Sequence, residues 1–433
     1  MDLGTSSVKA LVAGLDGGVL GRGTAEHAVH VPAAGLAESD PEDWWGAARA
    51  AVRTALAAAG DADVAAIGVA GQMHGVVLAG PDGQAVRAAI LWLDQRAVAE
   101  AGEYERLPAG LTAVLGNRAS AGMAGPMLRW LARHEPSALD AARWVLQPKD
   151  WLRLRLTGEA ATDPTDASGT LLYDLAANVW AAGLIGALGL PEEKLPPLLD
   201  SAEVAGELLA EPAAELGLRP AVPVVTGAAD TAAAVYAAGL AAGEAMLTLG
   251  SGGQWAVTEP AREEPRPGEG TNLYRAVGGG YYRLAPVQNV GVTLDWVRTI
   301  LGMSWDELYA AAGRQKNADP PTFVPYLTPE RWQSRAASTG AWTHLTLAHD
   351  REDLARSALD GVAGLLRRRL DDLRAAGAAP RCVVLGGGGA RHAAWRALVA
   401  DALAMPVRLA PAGLLTTLGA AQLACTGLAR GVS

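Results

Sequence analysis

A turn of small and polar residues, Gly4 to Ser7, is followed by a mostly apolar run. Val8 to Ala13 reads as a strand, Asp16-Gly17-Gly18 as a turn, and the run from Val19 as an antiparallel continuation, so the opening is a meander. The period then changes. Asp40 is a helix cap, Pro41 suits the first helical position, and Trp44, Trp45, Ala48, Ala51 and Val52 form an apolar stripe at helical spacing; this predicts a helix ending near Gly60. Val64 to Ala70 is a short apolar run suited to a buried parallel strand that ends in Gly71-Gln72-Met73-His74-Gly75. Val76 to Ala79 leads into the turn Gly80-Pro81-Asp82-Gly83. From Gln84 to Arg219 the pattern is mostly helical, with loop-rich insertions such as 161–169 that suit substrate-specific decoration. A buried strand restarts at Pro223 to Gly227, with Asp230 at its end before an Ala-rich helix. Later landmarks are Phe323 to Leu327, a helix over Asp353 to Ala375, and a strand from Cys382 to Leu385 running into four glycines, Gly386 to Gly389. The domain boundary is expected near residue 222, giving lobes of 1–222 and 223–433.

One loop occurs twice. DLGTSSVKA, from Asp2, and LTLGSGG, from Leu247, each give a Leu-Gly step, a turn of glycine and small hydroxyl residues, and an apolar run. The turns are Gly4, Thr5, Ser6 and Ser7 in the first, and Gly250, Ser251, Gly252 and Gly253 in the second. Backbone N–H groups at such a tip can approach an anion closely, so two related hairpins suit two lobes gripping one polyphosphate.

Composition narrows the class. At 433 residues, half of them hydrophobic, the chain is long enough for two cores. A net charge of −10 with no long basic run argues against a nucleic-acid surface. Cys382 and Cys425 have no metal-ligand spacing near them and read as buried thiols of an intracellular protein. No leader-like segment and no run of 18 apolar residues is seen, so a soluble cytoplasmic protein without a membrane partner is expected. None of the four lysines, Lys9, Lys149, Lys194 and Lys316, follows a glycine, which excludes a Gly-Lys-Ser/Thr phosphate loop.

Phosphoryl transfer to an alcohol needs phosphate donors, a metal and a carboxylate that accepts the hydroxyl proton. Asp2 and Asp230, each at a strand edge beside small residues, are the candidate carboxylates; for Asp230 the plain alternative is a helix cap, and for Asp2 terminal polarity. His74, with Gln72 and Met73, sits at a strand end where it could reach a sugar hydroxyl, although a lone histidine is also a common structural residue. Trp92, Asp94 and Arg96 combine an aromatic face with a polar fork that suits a polyol, or else form a salt bridge beside a core tryptophan. Gly387, Gly388, Gly389 and Ala390 present nothing to obstruct a flat base or ribose, and could equally be a plain strand-to-helix turn.

These motifs together resemble the FGGY carbohydrate kinases over nearly the full length. The resemblance is carried by DLGTSSVKA, SDPEDWW from Ser39, GVAGQMHG from Gly68, ILWLDQR from Ile90, LQPKDWLRLRLTGE from Leu146, TDASGT from Thr165, GAADTAA from Gly227, LTLGSGG, FVPYL from Phe323 and GGGARHAAW from Gly387. It implies an α/β fold of the two-lobe actin, hexokinase and Hsp70-like ATPase type. Each lobe is then ribonuclease-H-like, with the active site in the cleft between them. It further implies ATP and Mg2+ as cofactors and Asp230 as the base that takes a proton from the sugar, with D-xylulose as the acceptor indicated by the QMHG segment and D-xylulose 5-phosphate as the product. Asp2 and Asp230 would help to place magnesium, Gln72, Met73, His74, Trp92, Asp94 and Arg96 would line the sugar pocket, and Gly4, Thr5, Ser6, Gly250, Ser251, Gly252 and Gly387 to Ala390 would hold ATP.

The chain departs from the family pattern in several places. Family members carry a few more apolar residues before the aspartate that matches Asp2, so a late start or a weakened first strand is expected. Met127 stands for a lysine, His344 for a glycine, and Pro329-Glu330-Arg331-Trp332-Gln333 for a Gly-Glu-Arg-x-Pro loop. Thr231 and Leu93 each stand where asparagine is common, beside the expected sugar site. A kinase for another ketose or polyol is therefore the second reading, and a non-catalytic sugar or nucleotide sensor the third. A homodimer is the expectation for assembly.

Overall fold

The structure is a computed structural model that describes residues 1–241, 243–261, 268–314, 319–330, 339–410 and 414–431. The N-terminal meander forms as the pattern dictates. Strands β1 (Asp2–Leu3), β2 (Ser7–Ala13) and β3 (Val19–Glu26) pair antiparallel. Asp16 closes the β2–β3 turn by accepting the Gly18 N–H at 2.9 Å. Helix α1 (Pro41–Ala59) starts where Asp40 accepts the Glu42 N–H and stops at Gly60, whose φ is 69°. It lies directly on β3 because Gly21 and Gly23 carry no side chain: a Cβ there would stand 2.0 Å from Ala55 O and 1.9 Å from Ala51 O.

The first sheet is completed by two short parallel strands, β4 (Ala70–Gly71) and β5 (Ala228–Ala229), giving the order β5-β4-β1-β2-β3. Residues 64–70 were expected to be one strand, but only Ala70 and Gly71 pair as a strand, with an isolated bridge between Ile67 and Val224. Among the described residues no strand pairs with Val64–Ala66, and an apolar cavity of about 350 Å3 lies beside them, lined by Met1, Leu11, Val64, Leu216 and Cys425 among others. Short helices and two-stranded ribbons make up most of residues 84–219; among them are α2 (Pro148–Thr157) and the single turn α3 (Pro164–Ala167).

The second sheet contains β6 (Glu244–Leu249), β7 (Gly253–Glu259), β8 (Asn272–Arg275), β9 (Tyr281–Val287), β10 (Cys382–Gly386) and β11 (Val407–Leu409), in the order β8-β9-β7-β6-β10-β11. Apart from the added edge strand β8, this repeats the first sheet: an antiparallel meander whose first strand lies parallel to a later one. Helix α5 (Gly291–Ile300) and the long α6 (Arg351–Ala375) pack on it, α6 starting in a capping box between Asp350 and Asp353.

The division between the sheets falls later than residue 222. Strand β5 hydrogen-bonds into the first sheet, helix α4 (Asp230–Ala238) follows it directly, and the second sheet begins only at Glu244. The C-terminal helix α7 (Leu415–Gly431) returns to pack on α4 and on the first sheet. Strands β8 and β9 also reach across, placing Tyr274, Tyr282 and Leu284 in one core with Met73, Met127 and Ala229. Asn117 fastens this hairpin like a strand: its Nδ2 donates to Leu273 O at 2.6 Å and its Oδ1 accepts the Leu273 N–H at 2.7 Å.

Candidate active site

Three strand ends stand level. Asp2 is in register with Lys9 on β2 and Ala70 on β4, and Ala70 is in turn level with Ala228 on β5. Asp2 is thus the first residue of the two-residue β1, and Asp230, two residues beyond the level of Asp2, leaves the end of β5 as the first residue of α4. Asp2 is 6% exposed, with Lys9 Nζ 3.8 Å from its Oδ2. Burial raises its pKa, and Lys9 offsets part of that rise. Burial is also the larger cause at Asp230, and the charge of Asp2 adds to it, so the Asp230 carboxyl is pushed up to about 6. Asp230 Oδ1 accepts the Thr231 N–H and, at 3.1 Å, the Thr231 hydroxyl, both of which favour its ionised form.

The Gly4–Ser7 turn is closed by the Gly4 N–H donating to Ser7 O at 3.0 Å. Thr5 accepts the indole N–H of Trp92 at 3.0 Å, which links this turn to the loop after Ile90. The Gln72 N–H donates to Leu3 O and its amide group to Gly4 O at 3.4 Å; its buried Oε1 has no hydrogen-bond partner among the described residues. His74 holds a φ of 72°, in the left-handed region that a residue with a Cβ seldom occupies. Its Nδ1 is 2.7 Å from Gly169 O, so that nitrogen carries the proton. Gly169 leaves room for this, since a Cβ there would lie 2.9 Å from Met73 Cε and 3.0 Å from His74 Nδ1. The ring of His74 tilts against Tyr274 at 5.8 Å, and the Tyr282 hydroxyl donates to Met73 Sδ at 3.6 Å. Gln72, Met73 and His74 therefore form a shelf beside the two carboxylates.

Asp94 and Arg96 do not join that shelf as an open fork. The fully buried Asp94 accepts the Ala37 N–H at 2.7 Å, the Arg96 N–H at 2.8 Å, and Arg96 Nε and Nη2 at 2.9 and 2.8 Å. Arg96 also pairs with Glu38 at 2.7 Å and lies over Trp130. The fork is closed on itself and braces the loops around Ala37 and Trp92.

In the second sheet the turn after β6 is held by the Gly250 N–H donating to Gly252 O at 2.8 Å, and the Val292 N–H donates to Ser251 O at 2.8 Å. This sets the start of α5 against the turn so closely that a Cβ on Gly291 would stand 2.1 Å from Gly250 O. Next to β6, strand β10 ends in Gly387, with φ 85°, followed by a tight turn over Gly388–Arg391. A Cβ on Gly387 would lie 2.3 Å from Leu249 O, so the two glycine turns touch. Tyr309 stacks on His392 at 4.3 Å beside them. Glu330 Oε2 and Oε1 accept the N–H groups of Gln288 and Asn289 at 2.8 and 3.0 Å; Arg331, Trp332 and Gln333 lie outside the described residues.

Several contributors carry no sequence signal as site residues. Tyr274, Tyr282 and Tyr309 read only as apolar positions of strands and a helix. Thr165 and Ser168 lie in the TDASGT segment, which is legible as a motif but not as a contact to Ala229 and Arg275.

The first sheet thus presents two buried carboxylates, Asp2 on its central strand and Asp230 just past its edge strand, and the second sheet a matching glycine-turn hairpin. Residues 1–237 match the N-terminal domain of the FGGY family of carbohydrate kinases, and residues 245–428 its C-terminal domain. The chain belongs to this family and is a carbohydrate kinase that transfers a phosphoryl group from ATP to a hydroxyl of its sugar. It is 36% identical to the xylulose kinase of Escherichia coli K12, over 98% of this chain and 88% of that protein. The crystal structure of a xyloylose kinase from Brucella ovis superposes with a TM-score of 0.91 at 34% identity, over 99% of this chain and 90% of the other. That of the xylulose kinase from Rhodospirillum rubrum gives 0.87 at 30%, over 98% and 89%. The fold is accordingly the two-lobe actin and hexokinase-like type. Among the described residues no helix is long and apolar enough to cross a membrane.

Proposed function

We propose that this kinase phosphorylates D-xylulose at its 5-hydroxyl, giving D-xylulose 5-phosphate, with Asp230 as the general base. The observation that carries the reading is Asp230 itself, a carboxylate raised to about 6 at a strand end beside the Gln72–His74 shelf. The curated relatives named as xylulose kinases support the choice of sugar.

Asp230 accepts the proton of the 5-hydroxyl as that oxygen forms its bond to the γ-phosphorus and the bond to ADP breaks. A base with a pKa near working pH combines an ionised form with real proton affinity, which the burial of Asp230 supplies. The Gln72 amide, the Met73 side chain and the His74 imidazole are assigned to the sugar, with Trp92 as an aromatic wall. Asp94 and Arg96 are assigned to bracing that wall. On the nucleotide side the backbone at Gly4, Thr5 and Ser6 and at Gly250, Ser251 and Gly252 would face phosphates, and Gly387 to Ala390 the adenosine.

Asp2 and Asp230 fit a magnesium ion. Both are carboxylates with raised pKa values, Lys9 is the cation that offsets each of them, and hard oxygen donors in small number suit an ion that keeps water and phosphate as its other ligands. When bound there it would neutralise phosphate charge.

The test is ADP release from Mg-ATP with D-xylulose, with a panel of other ketoses and polyols, and with no sugar. D-Xylulose is expected to give the highest kcat/KM, and Asp230→Asn to lower kcat by about 10²- to 10⁴-fold. An Asp230→Asn enzyme that keeps its rate would remove Asp230 from the chemistry. A different preferred sugar would move the substrate and leave the mechanism intact, a reading favoured by the Thr231 hydroxyl that bonds Asp230 beside the sugar site.

A further inference from the structure

Behind the strand ends lies a buried group of charges that the reaction does not use. Lys149, in the first turn of α2, is fully buried, with Nζ 2.6 Å from Asp150 Oδ1, 3.0 Å from Asp163 Oδ1 and 3.4 Å from Asp166 Oδ2. Arg153, one turn further on, donates to Asp150 Oδ1 at 2.8 Å and to Thr226 O at 2.9 Å, on the segment that leads into β5. Charges at this depth persist only when they are paired, so the group is held to one geometry.

From this anchor a chain of hydrogen bonds runs to the base. Asp163 turns Oδ1 to Lys149, while its Oδ2 accepts the Ser201 hydroxyl at 2.7 Å and the Thr165 hydroxyl at 2.6 Å. A threonine hydroxyl has a single proton, and here it goes to Asp163; the remaining contact of Thr165 Oγ1 is therefore an accepted one, from the Ala229 N–H at 2.9 Å. Ala229 is the last residue of β5 and immediately precedes Asp230. Strand β5 is the edge of its sheet: the Ala228 N–H bonds to Val69 O, but the Ala229 N–H points away from β4 and finds a side chain where a further strand would otherwise be. The same turn reaches the opposite wall, since Ser168 Oγ accepts the Arg275 N–H of β8 at 3.0 Å.

We propose that Thr165 is a positioning residue for phosphoryl transfer: by taking the Ala229 N–H and being held by Asp163, Lys149 and Ser201, it fixes the direction in which Asp230 leaves the sheet. The proposal rests on the reading of Asp230 as the base. A displacement of about 1 Å at a catalytic group costs on the order of 100-fold in rate, so the bond bears on kcat and not on the contacts that bind sugar.

The test compares Thr165→Val, which keeps the shape and removes the acceptor, with Thr165→Ser, which keeps the acceptor. Thr165→Val is expected to lower kcat by about 10- to 100-fold while the sugar KM stays within about threefold. Thr165→Ser is expected to restore most of the loss. In an Asp230→Asn background, Thr165→Val is expected to add no further loss, because it acts through a group already removed. A folded Thr165→Val enzyme with full kcat would overturn the proposal, as would a serine variant as impaired as the valine one, or equal losses in both backgrounds. Should the valine variant not fold, Ser201→Ala, which removes one donor from Asp163, is expected to lower kcat a few-fold in the Asp230 enzyme alone; an unchanged kcat there overturns the proposal. An active Asp230→Asn single variant would instead overturn the base assignment, whatever Thr165 does.

Discussion

Asp230 owes its basicity to where it stands, and that position has a thermodynamic sign. Its pKa is raised from 3.8 to about 6, so between these values the folded chain binds more protons at this site than the unfolded chain, and stability falls as pH rises through the window. Above it the cost of keeping the carboxylate ionised is present in full. Asp230→Asn is therefore expected to raise stability at pH 7 by on the order of 1–3 kcal/mol, a gain that shrinks as pH falls from 6 towards 3.8. Urea unfolding of both forms across that range measures it. The acid limb of kcat/KM for the natural chain should likewise lie above the ordinary aspartate range. Asp2 and Asp230 were legible in the sequence because a carboxylate beside small residues at a strand end is a local pattern. Thr165 was not, since its role depends on a hydroxyl meeting a backbone N–H 64 positions away. Asp94 and Arg96 left two readings open, a polar fork or a salt bridge beside a tryptophan, and the choice was not legible because it depends on the distant Ala37 N–H and Glu38, which close the pair.

Elements were legible where periodicity and termini agreed. The helix after Asp40 and the β2–β3 hairpin form as their residues dictate, whereas the apolar run 64–70 forms two strand residues because strand structure also needs a neighbour at the right distance. Glycines were readable as turns but not as contacts. Gly387 combines a φ of 85° with a Cβ position 2.3 Å from Leu249 O, so the end of β10 and the turn after β6 share one small space. Gly387→Ala is expected to cost about 1–3 kcal/mol of stability and to raise the KM for ATP by roughly tenfold or more while the sugar KM changes little. Denaturant melts and two-substrate kinetics separate these effects.

At the scale of the molecule, two lobes were legible from length and from the doubled hairpin, yet their seam was not. Pairing of β5 with β4, and the passage of β8 and β9 into the first lobe's core, are long-range choices that leave no trace in local pattern. Asn117 is the clearest fastening, and Asn117→Ala leaves both backbone groups of Leu273 without their partner in a buried setting. A loss of about 2–5 kcal/mol in denaturant unfolding is expected, with a higher sugar KM because Tyr274 next to it walls His74. The level register of Asp2 and Lys9 has a consequence for how such a chain can vary over time. Because side chains along a strand alternate between faces, loss or gain of one codon in the Gly4–Ser7 turn would shift β2 against β1 by one residue and turn Lys9 away from the carboxylate it offsets. In that stretch natural selection must guard the count of residues as strictly as their kind, while substitutions that preserve length are free to accumulate around it.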